Sequence, residues 1–335
     1  MDENKAVIKT IAEKAGVSVA TVSRVINNSP SVTQKTRQKV TAVIQALNYR
    51  PSIHAQGLNR RYATKLVGLI TDTSRIFSNH YYFTEIIRGL ETSALRNGYG
   101  LLFTTPEQLF SAEMSYHLDL LDGIILLTAK IGDPIVKSME ATKKPYALLN
   151  CVSWKAGHVD INNLAGAQAA VEHLIGHGHK RIGFIGGRAE DAVAQERLIG
   201  YKSVLNKHHI PLDEALIMVA DSDEASGAAA ARKLLAAPNR PTAIFAASDY
   251  MAIGAMAAAR EANLTLPQDL AIVGFDDIHA AAHTTPTLTS VHQPLFEMGV
   301  ESMDLIIHAI KEKAAASNRK FLLPTLRIRQ SCGCK

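Results

Sequence analysis

The sequence predicts a small all-α unit followed by a two-lobed α/β core with parallel sheets. Three observations lead there. Up to about residue 47 the apolar residues recur at helical spacing. From Leu66 onward, short apolar runs alternate with amphipathic stretches, the pattern of parallel sheets covered by helices on both faces. About 270 residues of such alternation is large for one sheet, so two lobes are expected.

In the first unit, Ile8, Ile11, Ala12 and Ala15 mark one helix face. Gly16 supplies the positive φ that a tight interhelix turn requires. Ser18 is a suitable N-cap for a second helix, whose Val22 and Val25 face back onto the first. Small residues, Ala12 and Gly16, stand where the two helices must approach closely. Thr33 caps a third helix that runs to about Leu47, with Val40, Ile44 and Leu47 on its apolar side; Pro51 lies beyond its end. A polar, basic connector follows, "RPSIHAQGLNRR", with a short helical segment from Ser52 to Leu58 weakened by Gly57.

In the core, "KLVGLIT", "GIILLT", "YALLN", "RIGFIGG", "TAIFAAS" and "LAIVGFDD" read as buried strands. "YFTEIIRGLETSALRNGYG", "GAQAAVEHLIGHGH", "ERLIGYKSVLNKH", "EASGAAAARKLLAA" and "MAIGAMAAAREA" read as helices. Ligands in such folds sit beyond the carboxyl ends of strands, which marks Asp72, Asn150, Ser248, Asp249, Asp276 and Asp277 as cleft candidates.

The bulk composition narrows the function classes. Of 335 residues 47% are apolar and 20% charged, which suits a soluble globular protein, and no apolar run is long enough to cross a bilayer. "MDENKAVIKT" has no apolar signal core, so a cytoplasmic protein with no membrane partner is expected. Three cysteines, Cys151, Cys332 and Cys334, cannot build a disulfide framework. Cys332 and Cys334 read as exposed tail thiols, because no further ligands lie nearby in sequence. The thirteen histidines read as surface and loop residues without ligand spacing, so neither a metal nor a cofactor is expected. Residues 1–61 carry ten Lys or Arg against three Asp or Glu, although the whole chain has a net charge of only +5. Such local positive charge attracts a phosphate backbone.

"IKTIAEKAGVSVATVSRVINNSPSVTQKTRQKVTAVIQALNYRPS" resembles the DNA-binding headpiece of the lactose and galactose repressor family. "GHGHKRIGFIGG", "PTAIFAASDYMAIGAM" and "VGFDD" resemble that family's effector-binding core, which is itself similar to periplasmic sugar-binding proteins. The resemblance spans nearly the whole chain. It implies a headpiece over 1–50, a hinge over 51–61 and a core over 62–335. It divides that core into a first lobe (about 62–161 plus 293–320) and a second (about 162–292 plus 321–330). It further implies a homodimer on a pseudo-palindromic double-stranded operator, answering to a small-molecule effector, a sugar in the leading reading. Without a leucine-heptad segment in "RQSCGCK", a dimer is expected over a tetramer.

Site residues follow from the same resemblance. Val19 and Ala20 open the second helix, the end that enters the major groove, and with no polar side-chain atoms they can read only shape and thymine methyls. Arg24, one turn on, is suited to a guanine edge. Ser18, Thr21, Ser23, Asn27 and Ser31 are placed for backbone contacts, which fix register. Leu58 matches the family's minor-groove wedge; the ordinary alternative is a packed linker leucine. Tyr82, Phe83, Arg197 and Asp276 align with effector-pocket positions, and Asn150, Ile161 and Ser248 with weaker ones. Their alternatives are helix packing for the two rings, a surface arginine for Arg197 and a helix cap for Asp276. For Asn150, Ile161 and Ser248 they are a strand-end turn, core packing and a helix cap. Ser222 stands where some relatives carry an aromatic that stacks on the ligand; the sole tryptophan, Trp154, could supply that surface or simply sit in a loop.

Two other functions compete. A transporter's solute-binding protein would share the core but would lack a basic helix-turn-helix. A nicotinamide-dependent enzyme would need more than "GFIGG", which lacks the full glycine fingerprint and its spaced acid, and no catalytic constellation is recognisable. Within regulators, sequence leaves open whether the ligand is an inducer or a corepressor, the latter acting on a nucleobase or other metabolite.

Overall fold

The computed structural model describes residues 2–26, 29, 31–47, 49, 64–71, 80–110, 116–127, 134–150, 156–189 and 191–334. The chain divides into two compact units, Met1–Lys65 and Leu66–Lys335.

The first unit holds α1 (Asp2–Ala15), α2 (Val19–Ile26) and α3 (Gln34–Ala46). Gly16 adopts φ +63° between α1 and α2. The Ser18 hydroxyl accepts from the Thr21 N–H at 3.2 Å and the Thr33 hydroxyl from the Thr36 N–H at 3.3 Å, each satisfying a helix-terminal donor. Ile11, Ala12, Ala15, Val22, Val25 and Val40 form its core. Val7, Ile8, Val32, Val43 and Leu47 pack around it, partly buried.

The second unit contains two six-stranded sheets of the same winding. The first is built from β1 (Leu66–Ile70), α4 (His80–Arg96), β2 (Gly100–Thr104), α5 (Pro106–Phe110), α6 (Tyr116–Leu120), β3 (Gly123–Leu127), α7 (Pro134–Thr142), β4 (Tyr146–Leu149) and β5 (His158–Ile161). The second follows with α8 (Asn163–Gly176), β6 (Ile182–Gly186), α9 (Ala192–Lys207), β7 (Ile217–Val219), α10 (Glu224–Leu235), β8 (Ala243–Ala246), α11 (Asp249–Glu261), β9 (Ala271–Asp276) and β10 (Thr289–His292). The chain then returns through α12 (Leu295–Glu312) and β11 (Arg319–Leu322) and ends on β12 (Thr325–Arg327). The strand orders are β2-β1-β3-β4-β5-β11 and β7-β6-β8-β9-β10-β12. Among the described residues every pairing is parallel except that of β12 with β10.

Helices α4 and α12 pack across the first sheet, and Gly89 and Gly299 set how closely they approach. A Cβ on Gly89 would collide with the Phe296 carbonyl, and one on Gly299 with the Ile86 carbonyl. The chain crosses between lobes after Ile161, after His292 and after Leu322.

Several sequence expectations need correction. Phe321 and Leu322, placed from sequence in the second lobe, lie on β11 of the first sheet, because their backbone pairs in parallel with Asp160 and Ile161. Strands β2, β5, β7, β10, β11 and β12 carried no clear signal; β7 and β12 have only three residues, and β11 reads Arg-Lys-Phe-Leu. Cys332 is not an exposed tail thiol but is 1% exposed. Its segment is drawn into the second sheet by Ile272 N–H donating to the Ser331 carbonyl (2.8 Å) and Thr289 N–H to the Ser331 hydroxyl (2.9 Å). His158, expected at the surface with the other histidines, is buried on β5.

Candidate functional site

Open α/β sheets bind ligands where the strand order reverses. In the second lobe that point lies between β6 and β8, and α9, the helix after β6, carries Arg197. Asp191 caps α9 by accepting from the Val193 N–H at 3.1 Å, which fixes where its first turns begin. Arg197 is only 6% exposed. Its Nε donates to Asn163 Oδ1 (3.0 Å), its Nη1 to the Ala247 carbonyl (2.5 Å), and its guanidinium lies 3.6 Å from the centre of the Phe275 ring. Acceptors and a π-face thus replace the water this cation has lost.

Asp276 closes β9 at φ +121°, a conformation that an L-residue rarely adopts and that marks a strained, over-determined position. Its Oδ1 stands 3.6 Å from Arg197 Nη1 and accepts from Gln293 Nε2 at 2.5 Å. Burial pushes its pKa up, and the Arg197 charge opposes this without overcoming it.

The first lobe contributes Asp160, Tyr82, Phe83 and Asn150. Asp160 is fully buried on β5; one oxygen accepts from the Ile161 N–H at 2.7 Å. Burial, only partly offset by that bond, raises its pKa to about 7. Tyr82 and Phe83 meet edge to face at 5.3 Å on α4. The Tyr82 phenol is held well above its ordinary pKa, first by burial and then by Asp160 and Asp276, while Arg197 opposes; ring, acids and arginine therefore share one junction between the lobes. Asn150 takes a left-handed φ of +54° at the end of β4, where its N–H donates to the Val159 carbonyl. Three oxygens, Asn150 Oδ1, Asp160 Oδ2 and Gln293 Oε1, are buried without a hydrogen-bond partner.

Other candidates have structural roles of their own. Ile161 packs in the core, and the Ser248 hydroxyl caps α11 by accepting from the Met251 N–H. Asp249 braces the fold by accepting from the Ser290 hydroxyl (2.6 Å) and the Ile278 N–H (2.8 Å). Asp277 is tied to His292 and Arg329; their hydrogen bonds outweigh its burial and hold its pKa low. Ser222 is exposed in its loop. Asp72 and Trp154 lie outside the described residues. Sequence reading missed Asp160, Asn163, Phe275 and Gln293. Asp160 alone had a visible signal, an acid inside the apolar run "HVDI".

In the first unit, Ser18, Val19, Ala20 and Arg24 are exposed on α2 and its cap, while Val22 and Val25 are buried on the opposite side. Val19 is 49% exposed, an apolar side chain that the core does not use. Thr21 and Ser23 are half-buried, and Ser31 is exposed beside Ser29, their hydroxyls 2.9 Å apart. Asn27 and Leu58 lie outside the described residues.

Comparison with known proteins agrees with both halves of this description. Residues 7–52 match the family described as bacterial regulatory proteins, lacI family, and residues 171–332 match a periplasmic binding protein-like domain. The ribose operon repressor of Escherichia coli (strain K12) is 34% identical over 336 residues, covering 97% of this chain and 99% of that protein. The transcriptional regulator CelR in complex with cellobiose superposes with a TM-score of 0.73 at 31% identity, covering 97% of this chain and 99% of that one. The lac repressor dimer bound to operator and the anti-inducer ONPF gives a TM-score of 0.83 at 28% identity, covering 96% and 97%. This chain belongs to the lacI family of bacterial regulatory proteins.

Proposed function

We propose that the protein is a homodimeric transcriptional repressor whose grip on a pseudo-palindromic operator is set by a small sugar held between the two lobes. The observation that carries the sugar reading is the character of the junction. Arg197 and Asp276 share the junction with Gln293, which donates to Asp276, and with Asp160, and each of these two has a buried oxygen without a partner; Asn150, at the end of β4, has a third. Asn150 Oδ1 and Gln293 Oε1 are amide acceptors, Asp160 accepts when ionised and donates when protonated, and a buried polar atom left unpaired costs about 1–3 kcal/mol. A ligand rich in hydroxyl groups would satisfy them, while the Tyr82 and Phe83 rings would supply apolar surface for its C–H face. The complex of CelR with cellobiose and the ribose operon repressor's name point the same way.

The dimer rests on the likeness to the lac repressor dimer on operator, and on symmetry, since one headpiece reads half of a palindrome. DNA contact would fall to Val19, Ala20 and Arg24 for base edges, and to Ser18, Thr21, Ser23, Asn27 and Ser31 for the backbone, with Leu58 as the wedge. The effector acts by preferring one lobe arrangement, so its differential affinity sets the size of the response.

The test is a thermal-shift screen of the full chain against sugars and nucleobases, followed by operator titration with and without each hit. A sugar that raises the melting temperature and changes operator affinity is expected. Stabilisation by a nucleobase alone would replace the sugar reading, and the direction of the change separates inducer from corepressor.

A further inference from the structure

Helix α8 ends in two histidines, His173 and His177, spaced i, i+4 on one face. The C-terminal segment brings Cys334 onto that face. Cys334 Sγ lies 3.0 Å from His177 Nε2 and 3.6 Å from His173 Nε2. One ligand atom from each residue falls within 4.8 Å of both others. The two imidazoles meet at 4.7 Å between ring centres with planes at 66°.

We propose that His173, His177 and Cys334 form a zinc site that fastens the C-terminal segment to α8. Zinc bonds thiolate sulfur at about 2.3 Å and imidazole nitrogen at about 2.0–2.1 Å, and tetrahedral angles then set sulfur–nitrogen separations of about 3.5 Å. The two observed separations bracket that value. A thiolate with two imidazoles selects zinc over calcium or magnesium, which take oxygen ligands. The position also favours a cation. His177 is the C-cap of α8, where the helix dipole is negative.

The segment that presents Cys334 is held on its own account. The Ser331 hydroxyl donates to the Ile272 carbonyl (2.6 Å), and the Thr289 hydroxyl donates to Cys332 Sγ (3.1 Å). Gly333 then turns the chain at φ +93° toward α8. The thiol therefore needs little ordering when the ion arrives; binding transfers its proton to solvent and leaves the thiolate on the metal. His177 is exposed and the other two ligands half-exposed, which leaves the ion a route in. The site is separate from the interlobe junction, because Asn163, which holds Arg197, begins the same helix ten residues before His173, about 15 Å along its axis.

The test uses the untagged, metal-stripped full chain under a non-thiol reductant, titrated with zinc in competition with a chromophoric chelator. One zinc per chain is expected, bound at least about tenfold more weakly by Cys334→Ser and by His177→Gln. With cobalt, the wild type should show a thiolate-to-metal charge-transfer band and tetrahedral d–d bands, and Cys334→Ser should lose the charge-transfer band. Circular dichroism and operator affinity of both variants serve as the folding control. Failure of the wild type to take up zinc, or equal zinc affinity in the two variants and the wild type, would overturn the site.

Discussion

Arg197 and Asp276 stand 3.6 Å apart at the lobe junction, near enough to feel each other's charge yet each hydrogen-bonded elsewhere. Arg197 donates to Asn163 and Ala247, and Asp276 accepts from Gln293. Each arrives by a different connection of the second sheet, and a ligand hydroxyl between them could donate to one and accept from the other.

Arg197→Ala is expected to abolish the effector response. If the effector is an inducer, operator binding without it stays near normal; if it is a corepressor, the variant loses operator binding. Removing the guanidinium also strips the buried Asp276 of its counter-charge. A loss of about 3 kcal/mol in stability is expected, limited because Asp276 can take up a proton. Calorimetry with the screened effector, denaturant unfolding and operator titration read these together. Unchanged effector affinity would remove Arg197 from the site.

Asp160 gives a pH signature. Its pKa is 3.8 in the unfolded reference and about 7 in the fold, so folding takes up a proton between those values. Its contribution to stability is therefore fully present below about pH 4 and is lost as pH rises through about 7. Asp160→Asn keeps an acceptor for the Ile161 N–H and removes the titration. It should match the wild type near pH 4 and exceed it by about 4 kcal/mol at pH 8. Parallel unfolding curves across that range would exclude a raised Asp160.

Arg24→Ala should weaken operator binding by about 1–3 kcal/mol and relax preference at one base pair in each half-site. Wild-type affinity should fall steeply with salt, as expected of a unit rich in lysine and arginine. A filter-binding series at several salt concentrations with single-base operator variants checks both. A flat salt profile would refute an electrostatic headpiece.

Gly89→Ala tests the α4–α12 contact. The added methyl meets the Phe296 carbonyl, a backbone atom that cannot swing aside. Destabilisation of about 1–3 kcal/mol is expected from urea unfolding, without change in the isolated affinity of the headpiece for DNA. A neutral result would mean that the two helices can slide apart at little cost.

Sequence alone determined the local features. Gly16, the Ser18 and Thr33 caps, and the Val22–Val25 face were legible because helix boundaries and amphipathic faces depend on residues within a few positions of one another. The central strands β1, β3, β4, β6, β8 and β9 were legible because burial on both faces makes them continuous apolar runs. Edge strands β7, β11 and β12 were not, since partial exposure and short length erase that pattern. Tertiary structure decided what sits together. Asp160 meets the field of Arg197 across two lobes, Gln293 reaches Asp276 from a crossover, and Cys334 meets His173 and His177 over more than 150 residues of chain. Such meetings depend on strand order and on where the chain changes lobes, and no local spacing encodes either.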